Sequence, residues 1–340
     1  MDFLEPLDLE LAKAARNLVV EKTLLGLEGG EHLLILADTE TDDKVVWATA
    51  RAAHVVGAKV AIISFAAPAD VGEKAIVPRP VVAAMENSDV MLELSKRYLL
   101  FSKAWKRATE KGTRYLGLWG MDREMMVRLI GKVNWSMMID LGRALQEISE
   151  SATMMEIKAQ AGTDLSFELS PDRPFIRSET EGGLGGEIAW APLEKTIHGR
   201  AVLDGSIYPP EIGRIRTPIE LNINEGKITG IEGGTDAAIL KKWLASWKDP
   251  RMYNIAHFSY GFNPGATPSD RILEADRVFG SIVIGLGYQR DIYRGNAGPA
   301  ASHSDGTIMN PSITIDGVCI EENGAYVHPR LVKIVNRLFE

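Results

Sequence analysis

The sequence predicts an α/β N-terminal domain with a small parallel sheet, followed by an α+β, strand-rich C-terminal domain. Three observations carry this reading. The chain has 340 residues, about twice a typical domain length. Its first part alternates apolar runs with helical patterns, as parallel strands joined by helices do. From Met155 onward it changes to short alternating stretches separated by Gly, Pro, Asp and Asn, the pattern of antiparallel hairpins. The boundary falls near residue 150, giving domains 1–150 and 151–340.

Residues 32–65, HLLILADTETDDKVVWATARAAHVVGAKVAIISF, give an apolar run, an acidic turn, a helical pattern and a second apolar run, which is one βαβ unit. PRPVVAAMENSDVMLEL adds a helix leading into a strand near Val90–Leu94, and KRATEKGTRYLGLWG a helix leading into a strand near Tyr115–Leu118. No glycine-rich phosphate fingerprint follows the first strand. LILADTETDDK offers carboxylates where a dinucleotide pyrophosphate needs bare backbone amides, so nucleotide binding is not expected. A helical region, Met121–Ser151, leads into the second half. There MEIKAQAGTDLSFEL, GRAVLDGSIY, TPIELNINEGKITGIEGG, SIVIGLG and SITIDGVCIEENGAYV are the expected strands, with Asp236–Lys248 as an internal helix and Val332–Leu338 as a final one.

Hydrophobic residues at 45% and charged residues at 25% fit a folded globular chain. A net charge of −8, with no Lys and Arg cluster interleaved with aromatics, argues against a nucleic-acid partner. Cys319 is the only cysteine, so a disulfide framework or a multi-cysteine metal site is excluded and a reducing compartment fits. The N-terminus opens with acids and becomes amphipathic, and no segment approaches 18 uninterrupted apolar residues. No membrane partner and a cytoplasmic location are therefore expected.

The stretch ASHSDGTIMNPSITIDG, residues 301–317, holds His303 and Asp305. In extended backbone, residues two apart point to the same side, so this pair can grip one ion if the segment is strand-like. An isolated H-x-D is more often a surface pair. The other histidines are His32, His54, His198, His257 and His328. His257, in YNIAHFSYGFNPGA, precedes a Gly and Asn-Pro turn that suits a pocket wall; taken alone, it reads more readily as a histidine bonded behind a strand. Two His and one Asp make a facial triad, which leaves three adjacent positions on Fe(II) open for an organic substrate and dioxygen. His198, beside a glycine, reads as an exposed turn residue.

The segments AGTDLSFEL, GGEIAWAPLEKTIHGRAVLDG, GKITGIEGG, AHFSYGFNPGA, LEADRVFGSIVIGLG and SHSDGTIMNPSITIDG occur in the order of the aminopeptidase T type metallopeptidases, over nearly all of residues 155–320. Within that superfamily, DPRMYNIAHFSYGFNP more closely resembles the 2,5-dihydroxypyridine 5,6-dioxygenases. The peptidases carry a metal-binding Glu where His257 stands, and a metal-binding His where Val283 stands. The resemblance thus implies one Fe(II), held by His257, His303 and Asp305, with a small aromatic substrate and dioxygen beside it, no organic cofactor, and a homo-oligomer. Glu187 stands where a peptidase ligand stands and the dioxygenases have a hydrophobic residue; with Glu194 it keeps the peptidase look. The dioxygenases also carry a histidine where this chain reads RYLLFSK, and a serine at Gly285.

Two residues are candidates for catalytic roles. Glu187 reads as a base accepting a substrate proton, or as a solvated strand residue. Tyr288, with Tyr293, flanks the loop GLGYQRDIYRGNAGPAAS, which suits a mobile cover, and either hydroxyl can reach oxygen or substrate; both read equally as loop anchors. Tyr260 and Phe262 read as packing. The leading expectation is a ring-cleaving Fe(II) dioxygenase acting on a hydroxylated N-heteroaromatic ring. Its rivals are an aminopeptidase T-like metallohydrolase using Zn, Co or Mn, and a metal-free binding module.

Overall fold

The computed structural model describes residues 6–208 and 212–340; the first five residues of the acidic N-terminal stretch lie outside them. The chain divides into two units. One comprises Met1–Trp135 with Glu179–Gly185, and the other Ser136–Ser178 with Gly186–Glu340. No helix among the described residues is long and apolar enough to cross a membrane.

In the first unit, helix α1 (Pro6–Val20) precedes β1 (His32–Asp38), α2 (Asp43–Val55), β2 (Lys59–Phe65), α3 (Arg79–Met85), β3 (Val90–Glu93), α4 (Lys103–Glu110), β4 (Arg114–Gly117) and the short α5 (Arg123–Met126). The four strands form one parallel sheet in the order β2-β1-β3-β4. β1 is central and buried from Leu33 to Asp38, which explains its unbroken apolar run: helices cover both faces, so alternation is not required. The acids after β1 serve the backbone. Asp42 caps α2 by accepting from the Lys44 N–H, and Asp38 accepts from the Glu40 N–H, the Thr41 hydroxyl and the Arg97 N–H. Carboxylates therefore occupy the edge where a phosphate would sit.

Glu93 ends β3 fully buried. Its carboxyl accepts from the Ser95 hydroxyl at 2.7 Å, the Leu99 N–H at 2.5 Å and the Tyr115 hydroxyl at 2.7 Å. Burial pushes its pKa up to about 7 against the restraint of these donors. A carboxyl whose pKa is raised by folding keeps its proton longer when folded, so stability falls as pH rises from the unfolded value through the folded one. We expect a loss of roughly 3 kcal/mol between about pH 4.5 and pH 7. Denaturation curves of the wild type and Glu93→Gln across that window provide the check; parallel pH profiles would refute the assignment.

The second unit begins at Ser136, within α6 (Trp135–Glu150). Its strands are β5 (Met154–Ala159), β6 (Asp164–Glu168), β7 (Ile176–Arg177), β8 (Glu187–Trp190), β9 (His198–Leu203), β10 (Ser206–Ile207), β11 (Gly213–Arg214), β12 (Ile219–Asn224), β13 (Lys227–Gly233), β14 (Ile255–Gly261), β15 (Ser281–Gly287), β16 (His303–Met309), β17 (Pro311–Ile315), β18 (Val318–Glu322) and β19 (Ala325–Tyr326). Helices α7 (Thr235–Ser246), α8 (Ile272–Ala275) and α9 (Pro329–Leu338) complete it. The strands form two antiparallel sheets, ordered β11-β10-β16-β15-β14-β8-β7 and β13-β12-β9-β6-β5-β17-β18-β19. Phe258 on β14 packs against Phe167 on β6 with ring centroids 4.6 Å apart, so one face of the seven-stranded sheet lies on the other sheet. Side chains alternate along a strand, so His257 is on the opposite face.

The break between units falls at Trp135, ahead of the boundary read near residue 150. The reason is α6. Its Ser149 hydroxyl meets the buried Tyr260 hydroxyl at 3.0 Å, and Gly142 leaves room for the Phe262 ring, which a Cβ there would meet at 3.0 Å. An amphipathic pattern shows that a helix has a buried face but not which neighbour covers it.

Candidate metal centre

β15 lies between β14 and β16, and this order builds the site. Gly285 on β15 pairs with His257 on one side and with Asp305 on the other, while Gly287 pairs with His303. Directly paired residues of antiparallel strands share a face, so all three side chains rise from the same side of the sheet. His303–Asp305 is strand, as the two-residue spacing required.

His257 reaches across β15 because Gly285 has no side chain. A Cβ on Gly285 would stand 2.4 Å from His257 Nε2, inside the space the imidazole fills. His257 Nε2 and His303 Nε2 are 3.2 Å apart, and each is 3.1 Å from Asp305 Oδ1. The two rings stack at 5.1 Å between centroids, and the Tyr293 ring packs on His257 at 5.3 Å. Among the described residues no other group of His, Cys, Asp or Glu converges in this way.

The spacing fits a metal. Ligands on adjacent corners of an octahedron with bonds of about 2.1 Å stand about 3.0 Å apart. Two imidazole nitrogens and one carboxylate oxygen also form the donor set of the non-heme iron triad. Lone-pair atoms this close need positive charge among them, either a proton or an ion. Burial pushes Asp305 up, but the His303 charge and the hydrogen bonds from both rings outweigh it and hold the carboxyl well below the usual range. Burial likewise disfavours a charged His303, yet the facing carboxylate raises the ring above its ordinary value.

The remaining candidates separate by position. Glu187 opens β8 on the His257 face, since it pairs with Gly261. It stays outside the convergent trio, and the buried Arg277 guanidinium donates to its Oε2 at 3.0 Å. Val283 is fully buried on the same face and offers no lone pair. Tyr288 follows β15 and ties its backbone N–H to the Ser302 carbonyl at 2.9 Å. His198 is exposed at the start of β9 in the other sheet, where its Nδ1 meets Asn224 Oδ1 at 3.0 Å. Tyr260 packs its ring on Trp190 at 4.6 Å, as a core residue does.

Asp276 was not singled out from the sequence. It is buried and lines a small cavity with Ser206, Tyr208 and Asp305. Burial, then the charges of Asp305 and Glu187, raise its carboxyl well above the usual range, with Arg277 opposing them. Its signal was present in LEADRVFG, but nothing in that pattern places it beside Asp305.

Comparison with known proteins bears on this site. The 2,5-dihydroxypyridine 5,6-dioxygenase of Pseudomonas putida KT2440 is 26% identical over 270 residues, covering 72% of this chain and 73% of that protein. The solved structure of 2,5-dihydroxypyridine dioxygenase from the same organism superposes with a TM-score of 0.75 at 21% identity, over 95% of this chain and 99% of that one. Aminopeptidase T (AmpT) from Thermus thermophilus follows at 0.64 and 16% identity, over 94% and 99%. These two likenesses establish the fold. A sequence model of the 2,5-dihydroxypyridine 5,6-dioxygenases matches residues 18–328, and with so much of its length accounted for, the chain belongs to that family.

Proposed function

We propose that this protein is an Fe(II)-dependent dioxygenase that opens a hydroxylated N-heteroaromatic ring such as 2,5-dihydroxypyridine. Family membership supports the reaction class. The observation that carries the metal assignment is the trio of His257, His303 and Asp305, whose donor atoms lie 3.1 to 3.2 Å apart with no further carboxylate of the described residues among them. Bound iron would supply the electron transfer that joins dioxygen to an electron-rich ring. The chain does the rest. His257, His303 and Asp305 would hold such an ion from the sheet and would leave room on it for substrate and oxygen. Tyr293, packed on His257, keeps that imidazole dry and in place. Glu187, anchored by Arg277, is proposed to take the proton of a substrate hydroxyl, and Tyr288 to contact substrate or oxygen from the loop.

A hydrolase reading needs a second ion. Val283 gives it no ligand, and Glu187 already holds an arginine. The test is anaerobic loading with Fe(II), metal analysis, then oxygen uptake with hydroxypyridines and dihydroxybenzoates. One iron per chain and one dioxygen consumed per ring opened are expected. Peptide hydrolysis by the Zn(II) or Co(II) form, without oxygen uptake by the Fe(II) form, would overturn the proposal.

His257→Glu, which restores the peptidase residue, is expected to give neither activity. The added carboxylate can bridge two ions, but Val283 offers the second ion no side-chain ligand where the peptidases have a histidine, so the two-metal clamp on a peptide carbonyl stays incomplete. A one-His, two-carboxylate site is also harder and more anionic, which weakens its preference for Fe(II). Assays of ring cleavage and amino-acid release after loading with Fe(II), Zn(II) and Co(II) decide this; efficient hydrolysis in any form would contradict it.

A further inference from the structure

The pairing of β14 with β15 breaks just before the metal centre. Ile255 pairs with Leu286 and His257 with Gly285, so Ala256 is an extra residue, a bulge. A bulge re-aims the neighbouring side chain but takes its own backbone groups out of the ladder. The Ala256 carbonyl is recovered by a side chain: Gln289 Nε2 donates to it at 2.6 Å.

That amide is fully committed. Gln289, 3% exposed, also donates to Glu194 Oε1 at 3.1 Å and accepts from the Ala297 N–H at 2.9 Å. Gly295 lies against it, where a Cβ would fall 2.2 Å from Gln289 Oε1. Glu194 Oε1 further accepts from the Asn296 N–H at 2.6 Å, and its Oε2 accepts from Arg173 at 2.8 Å. Arg173, itself buried, donates its other terminal nitrogen to the Pro192 carbonyl.

We infer that Arg173, Glu194 and Gln289 are positioning residues for this centre: they hold the bulge that aims His257 at Asp305, and they fasten the loop whose Tyr293 covers the His257 ring. The charge of Glu194 sets the direction of the whole chain of bonds. A carboxylate only accepts, so the NH2 side of the Gln289 amide must face it. That same side then meets Ala256, and the amide oxygen is left for Ala297. Arg173 holds Glu194 in its ionised form inside the fold, because a buried carboxylate is stable only when paired and hydrogen-bonded. The loop is thus tied at Gln289, Asn296 and Ala297.

The consequence for metal affinity rests on the metal reading above; the aiming of His257 does not. The test uses the full chain with Gln289→Glu, which keeps the size and the acceptor but removes both donors, and with Glu194→Gln as a milder second variant. Ser149→Ala, which removes a buried hydrogen bond to Tyr260, serves as the control. Gln289→Glu is expected to weaken Co(II) binding by about 10- to 100-fold, as loss of support behind a ligand does, and to shift the visible spectrum of the Co(II) form. Glu194→Gln should move both the same way by less, and Ser149→Ala neither. In the metal-free protein, amide hydrogen exchange over residues 255–261 and 289–297 should accelerate in Gln289→Glu. Wild-type Co(II) affinity and spectrum in Gln289→Glu would overturn the inference, as would unchanged exchange. If the wild type bound no Co(II), the metal reading would fall, and exchange alone would decide the positioning claim.

Discussion

Exchange of His257 for alanine is expected to remove bound iron and reduce ring cleavage to background, whereas exchange of His198 leaves both intact. In the proposed centre His257 would supply one of three donors, and a His and Asp on one strand two residues apart cannot complete a facial site. Its partners also depend on it. Against its desolvation, Asp305 is held below the usual carboxylate range first by the His303 charge and then by the His257 hydrogen bond, and without that imidazole one of these supports is gone. His198 lies exposed in the other sheet, bonded to Asn224, and contributes nothing to the trio. Metal analysis and oxygen uptake on the two purified variants give the answer. Equal iron loss from both would mean that the second histidine ligand is misassigned.

Gly285→Ala should be nearly as damaging in this chain, although Gly285 binds nothing, because here the His257 ring fills the space that the serine aligned at this position in the dioxygenases would need. The added methyl carbon would lie 2.4 Å from both Nε2 and Cδ2 of His257 and 3.0 Å from Cε1, closer than any real contact. The strand backbone on either side is paired to β14 and β16 and cannot back away. The imidazole must therefore tilt, and a shift of about 1 Å at a reacting centre costs on the order of 100-fold in rate. Metal affinity should drop with it, while the fold persists because alanine suits an extended strand. Metal titration, kcat and a thermal melt on the same preparation test this. A variant with wild-type metal binding would show that His257 does not need the floor of β15 to be bare.

Much of the scaffold could be read in advance, for local reasons. The apolar run of β1 and the alternating stretches after Met155 became the expected parallel and antiparallel strands, because burial on two faces or on one writes a different pattern into the residues themselves. His303 and Asp305 sharing a face follows from two-residue periodicity alone. The absence of a nucleotide fingerprint was equally local, since the acids after β1 are caps and turn acceptors for amides beside them.

What the sequence determined by itself was thus the type of many segments (though not of β8 or β14), the pair His303 and Asp305, and, through likeness of motifs, the identity of a third candidate ligand. Only the tertiary structure decided that β15 would run between β14 and β16, bringing His257 to within 3.2 Å of a histidine 46 residues away. It also decided that Arg277 would pair with Glu187, that Asp276 would lie beside Asp305, and that Gln289 would recover the carbonyl of the bulge before His257. The physical reason is the range of the forces. Propensity and periodicity act over a few residues, whereas strand order and the pairing of buried charges are settled by which distant surfaces exclude water together.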